Sequence, residues 1–212
     1  LKDSKTLKKF IYFSTIHVYN SSLKKIDELT KPNPNNFYSL THFLSEEIIN
    51  YFNNEANFKC INLRLSNSYG EPVFENENCS KLVVNELVKS ANEKKIISLN
   101  GEGSTSRDFI HYSDICDAIN KLIILDNSKF NHNTYNLSSG NSLLLIELAE
   151  LIKKEFNEEI KIFINSNESY IPSTKMFVSK TTYGNERIKN LIQFNPITLS
   201  EGLFKMIKEI KN

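Results

Sequence analysis

The chain has 212 residues, with 26 Lys and Arg against 25 Asp and Glu and a formal charge of +1. That length fits one large domain or one and a half small ones. The charge balance leaves no electrostatic footprint for nucleic acid or a membrane surface. No run is long and apolar enough to span a bilayer, and no basic segment with an apolar sequel reads as a signal peptide. Cys60, Cys79 and Cys116 are widely spaced and have no histidine nearby. They read as reduced thiols of a cytoplasmic protein, without a disulfide or a metal site.

The chain opens on Leu1, and its first apolar run, Lys9 to Phe13, leads directly into Ser14-Thr15. Such a run suits a buried parallel strand, and an N-terminal part is expected to precede it. Pro32 and Pro34 mark a loop. Asn36 then caps a helix from Tyr38 to about Phe52, with Leu40, Phe43, Leu44, Ile48, Tyr51 and Phe52 at helical spacing. A strand over Lys59 to Leu65 ends before Gly70-Glu71-Pro72.

The spacing next predicts a helix over Ser80 to Asn92, a strand over Lys95 to Leu99 and a turn at Gly101-Glu102-Gly103. A short strand, Phe109 to Tyr112, precedes a helix from Asp114 to about Leu125 with Ser113 or Asp114 as its cap. Thr134 to Leu137 reads as a strand, Ser142 as a cap, Leu143 to Phe156 as a periodic helix and Ile160 to Ile164 as a strand. Ser166 to Lys175 reads as irregular. Helices near Thr182 to Ile192 and Ser200 to Ile210 close the chain. Alternating strands and helices predict an α/β fold with a parallel sheet, with ligands beyond the strands' carboxyl ends, where Thr15 and Asn67 fall.

Four motifs follow one another in the chain: Phe13-Ser14-Thr15-Ile16-His17-Val18-Tyr19; Tyr38-x-x-x-His42 with Glu46; Leu63-Arg64-Leu65-Ser66-Asn67-Ser68-Tyr69-Gly70; and Gly101-Glu102-Gly103-x-x-x-Arg107-Asp108-Phe109-Ile110-His111-x-x-Asp114. In that order they resemble the extended short-chain dehydrogenase/reductases, the NAD-dependent epimerase/dehydratase group acting on nucleotide sugars. The resemblance covers only the later part of the family, after its glycine-rich cofactor loop. It implies the C-terminal part of a Rossmann-type parallel sheet with flanking helices, plus a small mixed α/β substrate domain. Residues 1–70 would hold later strands of the Rossmann part. Residues 71–212 would be mostly substrate-binding, with segments near 109–138 returning to the sheet.

By the same resemblance, Thr15 bonds the reacting sugar hydroxyl and Tyr38 is the acid/base. A phenol with a pKa of about 10 needs a neighbouring cation to ionise at neutral pH, and the family supplies a lysine that also holds the nicotinamide ribose. Here that place is His42, a shorter and mostly uncharged side chain. Asn67 would lie near the nicotinamide and the substrate phosphates. Arg107 would bind the diphosphate in two-pronged fashion, against the simpler alternative of an ion pair with Asp108. Asp114 reads as a cap.

The family's 4,6-dehydratases carry Asp and Glu where this chain has Ile16 and His17, which disfavours water loss; His17 is a possible acid or base, or a substrate contact. The implied function is a NAD- or NADP-dependent epimerase or ketoreductase working through a 4-keto sugar on a nucleoside-diphosphate sugar. The alternative is a cofactor-free sugar-nucleotide-binding remnant. The Tyr38 helix is also expected to pair with a second subunit, so that Leu44, Ile48 and Tyr51 belong to core or interface.

Overall fold

A computed structural model of the chain describes residues 4–20, 22–71, 81–100, 103–164, 168–169 and 180–211. Three parallel strands, β1 (Lys9–Thr15), β3 (Lys59–Leu65) and β7 (Thr134–Leu137), form the first sheet in the order β1-β3-β7. Their register sets Thr15 beside Leu65 and Leu65 beside Leu137, so the three carboxyl ends finish level. A two-residue strand, β2 (Lys25–Ile26), lies between β1 and the first helix, α1 (Phe37–Asn53).

The alternation of β3 explains how both faces are filled. Ile61 and Leu63 point into an apolar core with Ala118, Leu122, Leu137 and Ile188. Cys60, Asn62 and Arg64 point the other way and meet α1 through polar contacts. Arg64 pairs with Glu46 at 2.6 Å, Asn62 Nδ2 donates to Asn50 Oδ1 at 3.0 Å, and the Cys60 N–H donates to Asn53 Oδ1 at 2.8 Å. Strand positions two apart thus meet helix positions four and three apart, which is the match of periods 2 and 3.6. Asn36 caps α1, its side chain accepting from Ser39 N while Ser39 Oγ accepts from Asn36 N.

The second half is built on apolar packing. It comprises β4 (Asn67–Tyr69), α2 (Val83–Lys94), β5 (Ile96–Leu99), β6 (Ser106–His111), α3 (Tyr112–Ile124), β8 (Ser142–Leu144), α4 (Leu145–Phe156), β9 (Lys161–Ile164) and β10 (Glu168–Ser169). Then come β11 (Thr182–Tyr183), α5 (Glu186–Ile192) and α6 (Leu199–Lys211). The β4-β6-β8 and β5-β9-β10 sheets pack with α2, α4 and α6 around Val88, Ile97, Leu148, Ile152, Leu203 and Met206. Gly202 allows α6 to approach β4, because a Cβ there would lie 2.0 Å from the Tyr69 hydroxyl. Strand β7 pairs with β3 in the first sheet, while β6 pairs with β4 and β8.

Several local expectations change. The cap of α3 is His111, whose side chain accepts from Ser113 N. The Asp114 carboxylate instead accepts from Ile197 N at 3.3 Å, tying α3 to the chain before α6. Ser142 lies in β8 opposite Asp108, and the Leu144 N–H at the start of α4 is satisfied by Glu147. Thr182 and Tyr183 are not helical but pair with Lys25 and Ile26 of β2. Residues 72–80 and 101–102, with Cys79 and part of the Gly-Glu-Gly turn, lie outside the described residues; of 166–175, only 168–169 are described, as the strand β10.

Candidate active site

At the level carboxyl ends of β1 and β3 lies a cleft of about 330 Å³. Thr15, His17, Tyr38, Asn67 and Arg107 all line it. Five residues from four separate motifs therefore share one space. The cleft is lined also by Lys81, and no Asp or Glu occurs among its described lining residues. Two fixed cations without a carboxylate make a wall suited to an anion.

Each group reaches the cleft for a local reason. Thr15 ends β1 and caps a short 3₁₀ turn, Ile16–Val18, its Oγ1 accepting from the His17 N–H at 3.2 Å. With that lone pair engaged, the hydroxyl proton is left to donate to a ligand. His17 is exposed on the turn, while Ile16 beside it is buried. Partial burial of the imidazole lowers its pKa from the ordinary histidine value, and the Arg107 guanidinium lowers it further. Tyr38 stands in the first turn of α1 and is 55% exposed. An anion at this place would meet the positive end of the helix.

Asn67 opens β4 and donates from Nδ2 to the Asp108 carbonyl at 2.9 Å, leaving one amide N–H and its oxygen for other partners. Arg107 makes no ion pair with another described residue. In particular it does not pair with Asp108, which is fully buried and accepts from the Ser139 N–H and hydroxyl. Burial raises the Asp108 pKa against those hydrogen bonds.

His42 is not among the residues that line the cleft. Its ring lies edge-on to Tyr38, centroids 4.6 Å apart, and its Nδ1 shares a hydrogen bond with the Tyr12 hydroxyl at 3.1 Å. The imidazole is thus behind the phenol rather than beside it in the cleft.

Under the cleft runs a buried polar chain that motif reading did not assemble. Ser14 Oγ donates to Glu46, and Arg64 binds both oxygens of that carboxylate. Arg64 Nη1 donates to the Tyr19 hydroxyl at 2.7 Å, and Tyr19 donates to Asn136 Oδ1 at 2.8 Å. Burial pushes the Tyr19 phenol up to about 12, outweighing the pull of Arg64. The chain ties the strand that carries Thr15 to the helix that carries Tyr38. Its sequence signal is Asn62 and Arg64 alternating with Ile61 and Leu63 along β3, with Glu46 on the helix before it. Lys81 had no such signal; only folding brings it to the cleft.

A wider opening of about 550 Å³ lies near the start of β7, lined by His132, Tyr135 and Arg187. Two of its polar groups are engaged: Arg187 with Glu28 and the Thr134 carbonyl, and the Tyr135 hydroxyl with the His132 backbone. The smaller cleft is the candidate site because Thr15, Tyr38, Asn67 and Arg107 converge there, not because of its size. Among the described residues no group of three or more His, Cys, Asp or Glu gathers where it could hold a metal.

The family model of the NAD dependent epimerase/dehydratase family matches residues 2–138. The chain belongs to this family. It is 30% identical over 174 residues to a UDP-glucose 4-epimerase of Mycoplasma genitalium, covering 77% of this chain and 50% of that one. It is 28% identical over 157 residues to the human dTDP-D-glucose 4,6-dehydratase, covering 72% of this chain and 43% of that one. Among solved structures, a Thermotoga maritima UDP-glucose 4-epimerase with UDP-glucose superimposes with a TM-score of 0.77 at 22% identity, over 97% of this chain and 64% of that one. MoeE5 in complex with UDP-glucuronic acid and NAD superimposes with a TM-score of 0.77 at 19% identity, over 96% of this chain and 65% of that one. The chain spans about half the length of the curated relatives it matches.

Proposed function

We propose that the complete protein is a NAD- or NADP-dependent nucleotide-sugar epimerase or ketoreductase working through a 4-keto sugar. One observation carries the reading: Thr15, Tyr38, Asn67 and Arg107 line a single cleft. Tyr38 takes the proton of the sugar hydroxyl, and Thr15 donates its own proton to the same oxygen to orient it. Arg107, with Lys81 and Asn67 in the same lining, holds the diphosphate; a guanidinium with no ion pair to a described residue is free for that task. The substrate is a nucleoside-diphosphate sugar.

The cofactor's nicotinamide end fits the groups present. Tyr38 offers an uncommitted phenol, Asn67 one amide N–H, and His42 its Nε2, since only Nδ1 is engaged with Tyr12. NAD(P), when bound, accepts or returns the hydride. Dehydration is disfavoured because Ile16 is buried and apolar and His17 carries no carboxylate.

A second reading, a sugar-nucleotide-binding protein without catalysis, draws on the place of His42 behind Tyr38 rather than in the cleft. The Tyr38→Phe variant of the complete protein separates the two. Catalysis predicts a loss of about 10²–10⁴-fold in turnover with unchanged sugar-nucleotide binding; full activity in that variant removes the mechanism.

The reading includes a homodimer through α1 and a cytoplasmic location. Leu40, Leu44, Ile48 and Tyr51 form an exposed apolar stripe on that helix, as a face awaiting a partner would. Ile48→Glu should convert the dimer to monomer in sedimentation. No helix among the described residues is long and apolar enough to cross a membrane, and Cys60 and Cys116 are free thiols.

A further inference from the structure

We propose that the opening near the start of β7 is a second ligand site, which binds a nucleoside monophosphate. It shares no described lining residue with the cleft, and it does not depend on the functional reading above.

Position separates the two sites. The cleft lies at the carboxyl ends of β1 and β3, whereas this opening lies by the first residues of β7, at the outer edge of the β1-β3-β7 sheet. Its volume of about 550 Å³ falls within the range of about 300–1,000 Å³ of small-molecule sites. Its wall is held in place. The Tyr135 ring is buried, and its hydroxyl accepts from the His132 N–H at 3.2 Å and donates to the His132 carbonyl at 3.1 Å. The backbone at His132 is thereby fastened to the strand that follows it.

Charge selects the first part of the ligand. Arg187 is anchored without being neutralised: its Nη1 donates to the Thr134 carbonyl at 3.2 Å, while its Nε stays 3.9 Å from the Glu28 carboxylate. That distance is too long for a hydrogen bond. Glu28 is itself tied elsewhere, its other oxygen accepting from the Asn136 N–H at 2.8 Å. Arg187 Nη2 has no hydrogen-bond partner among the described residues, so a partly buried guanidinium of fixed direction keeps free N–H groups for an oxyanion. Lys129 reaches the same opening from the short turn Asn127–Lys129 and makes no ion pair with a described residue. The carboxylate of the described lining, Glu186, already has Lys189 at 3.4 Å. Two cations and the His132 imidazole therefore face a ligand, a set suited to the nearly two negative charges of a phosphate monoester at neutral pH.

The remaining lining selects the rest. Leu125 and Leu191 supply apolar surface, and Asn131 and Asn190 supply amide donors and acceptors. A nucleobase lays its face on the former and meets the latter with its polar edge.

Calorimetry on the complete protein tests the site, with UMP and AMP as probes and uridine, adenosine and inorganic phosphate as controls. One saturable binding event is expected for at least one nucleotide, at least about 10-fold tighter than for its nucleoside or for inorganic phosphate. Lys129→Glu should weaken that event by about 10–100-fold with an unchanged melting temperature, because Lys129 is exposed. The same event should persist in Arg107→Gln, which disables the cleft. Binding lost in Arg107→Gln would place the nucleotide in the cleft and overturn the proposal. Nucleotide binding that is indifferent to Lys129→Glu, or no tighter than that of inorganic phosphate, would overturn it as well.

Discussion

Helices α1 and α4 are both amphipathic by sequence, yet they sit in opposite senses. In α4 the apolar side is inside: Leu148, Ala149 and Ile152 are fully buried, while Glu147 faces solvent and meets Lys180. In α1 the inward side is polar, with Ser39 and Glu46 buried and Asn50 and Asn53 bonded to β3. Its apolar side is outward, with Ile48 59% and Tyr51 61% exposed. A helix held by area tolerates sliding by small amounts; one held by a guanidinium–carboxylate fork does not. The difference teaches what each is for. The α4 packing supplies bulk stability, and the α1 seam ties the helix that carries Tyr38 to strands β1 and β3.

The comparison breaks most sharply at Glu46. Glu46→Ala should cost about 3–5 kcal/mol in chemical denaturation, because Arg64 would stay buried without its counter-charge. If the seam is polar for placement rather than stability, replacing both partners with apolar residues should recover much of that loss while turnover stays low. In α4, Ile152→Ala should cost about 2–5 kcal/mol through the cavity left behind, with the remaining active fraction showing unchanged kinetics.

The two regions should also part with pH. His111 packs against Tyr69 in the second half, and burial, with Lys205 adding to it, lowers its pKa to about 4. The unfolded chain takes up that proton at about 6.5, earlier than the folded one. Stability from this group is therefore full above pH 6.5, falls as pH drops toward about 4, and levels below. Subtracting the pH–stability curve of His111→Gln should isolate that slope. The smallest effect belongs to the outward face of α1: Ile48→Ala should change monomer stability by no more than about 0.5 kcal/mol. A cost like that of Ile152→Ala, measured in dilute monomer, would mean the stripe is already packed.

Much of the fold can be read from the residues because its signals are local. Asn36 before an apolar period announced α1, and the helix expected over Ser200 to Ile210 is α6. Misreadings occur where partners are remote. Thr182 and Tyr183 look like the start of a helix, but their backbone groups are claimed by β2. Ser142 looks like a cap, but its place in β8 is decided by Asp108 across the sheet. Thr15, Tyr38 and Arg107 could be singled out by type and order. Nothing in their spacing said that His42 would turn to Tyr12, or that Lys81 would join the cleft.

Sequence alone determined most of the longer strands and helices, the family, and the residue types able to do chemistry, since periodicity and caps act over a few neighbours. The tertiary structure decided which face of α1 is buried, which groups meet in the cleft and which are already engaged. Those outcomes depend on hydrogen bonds and charge pairs between segments far apart in the chain, and their energies exist only once the segments touch.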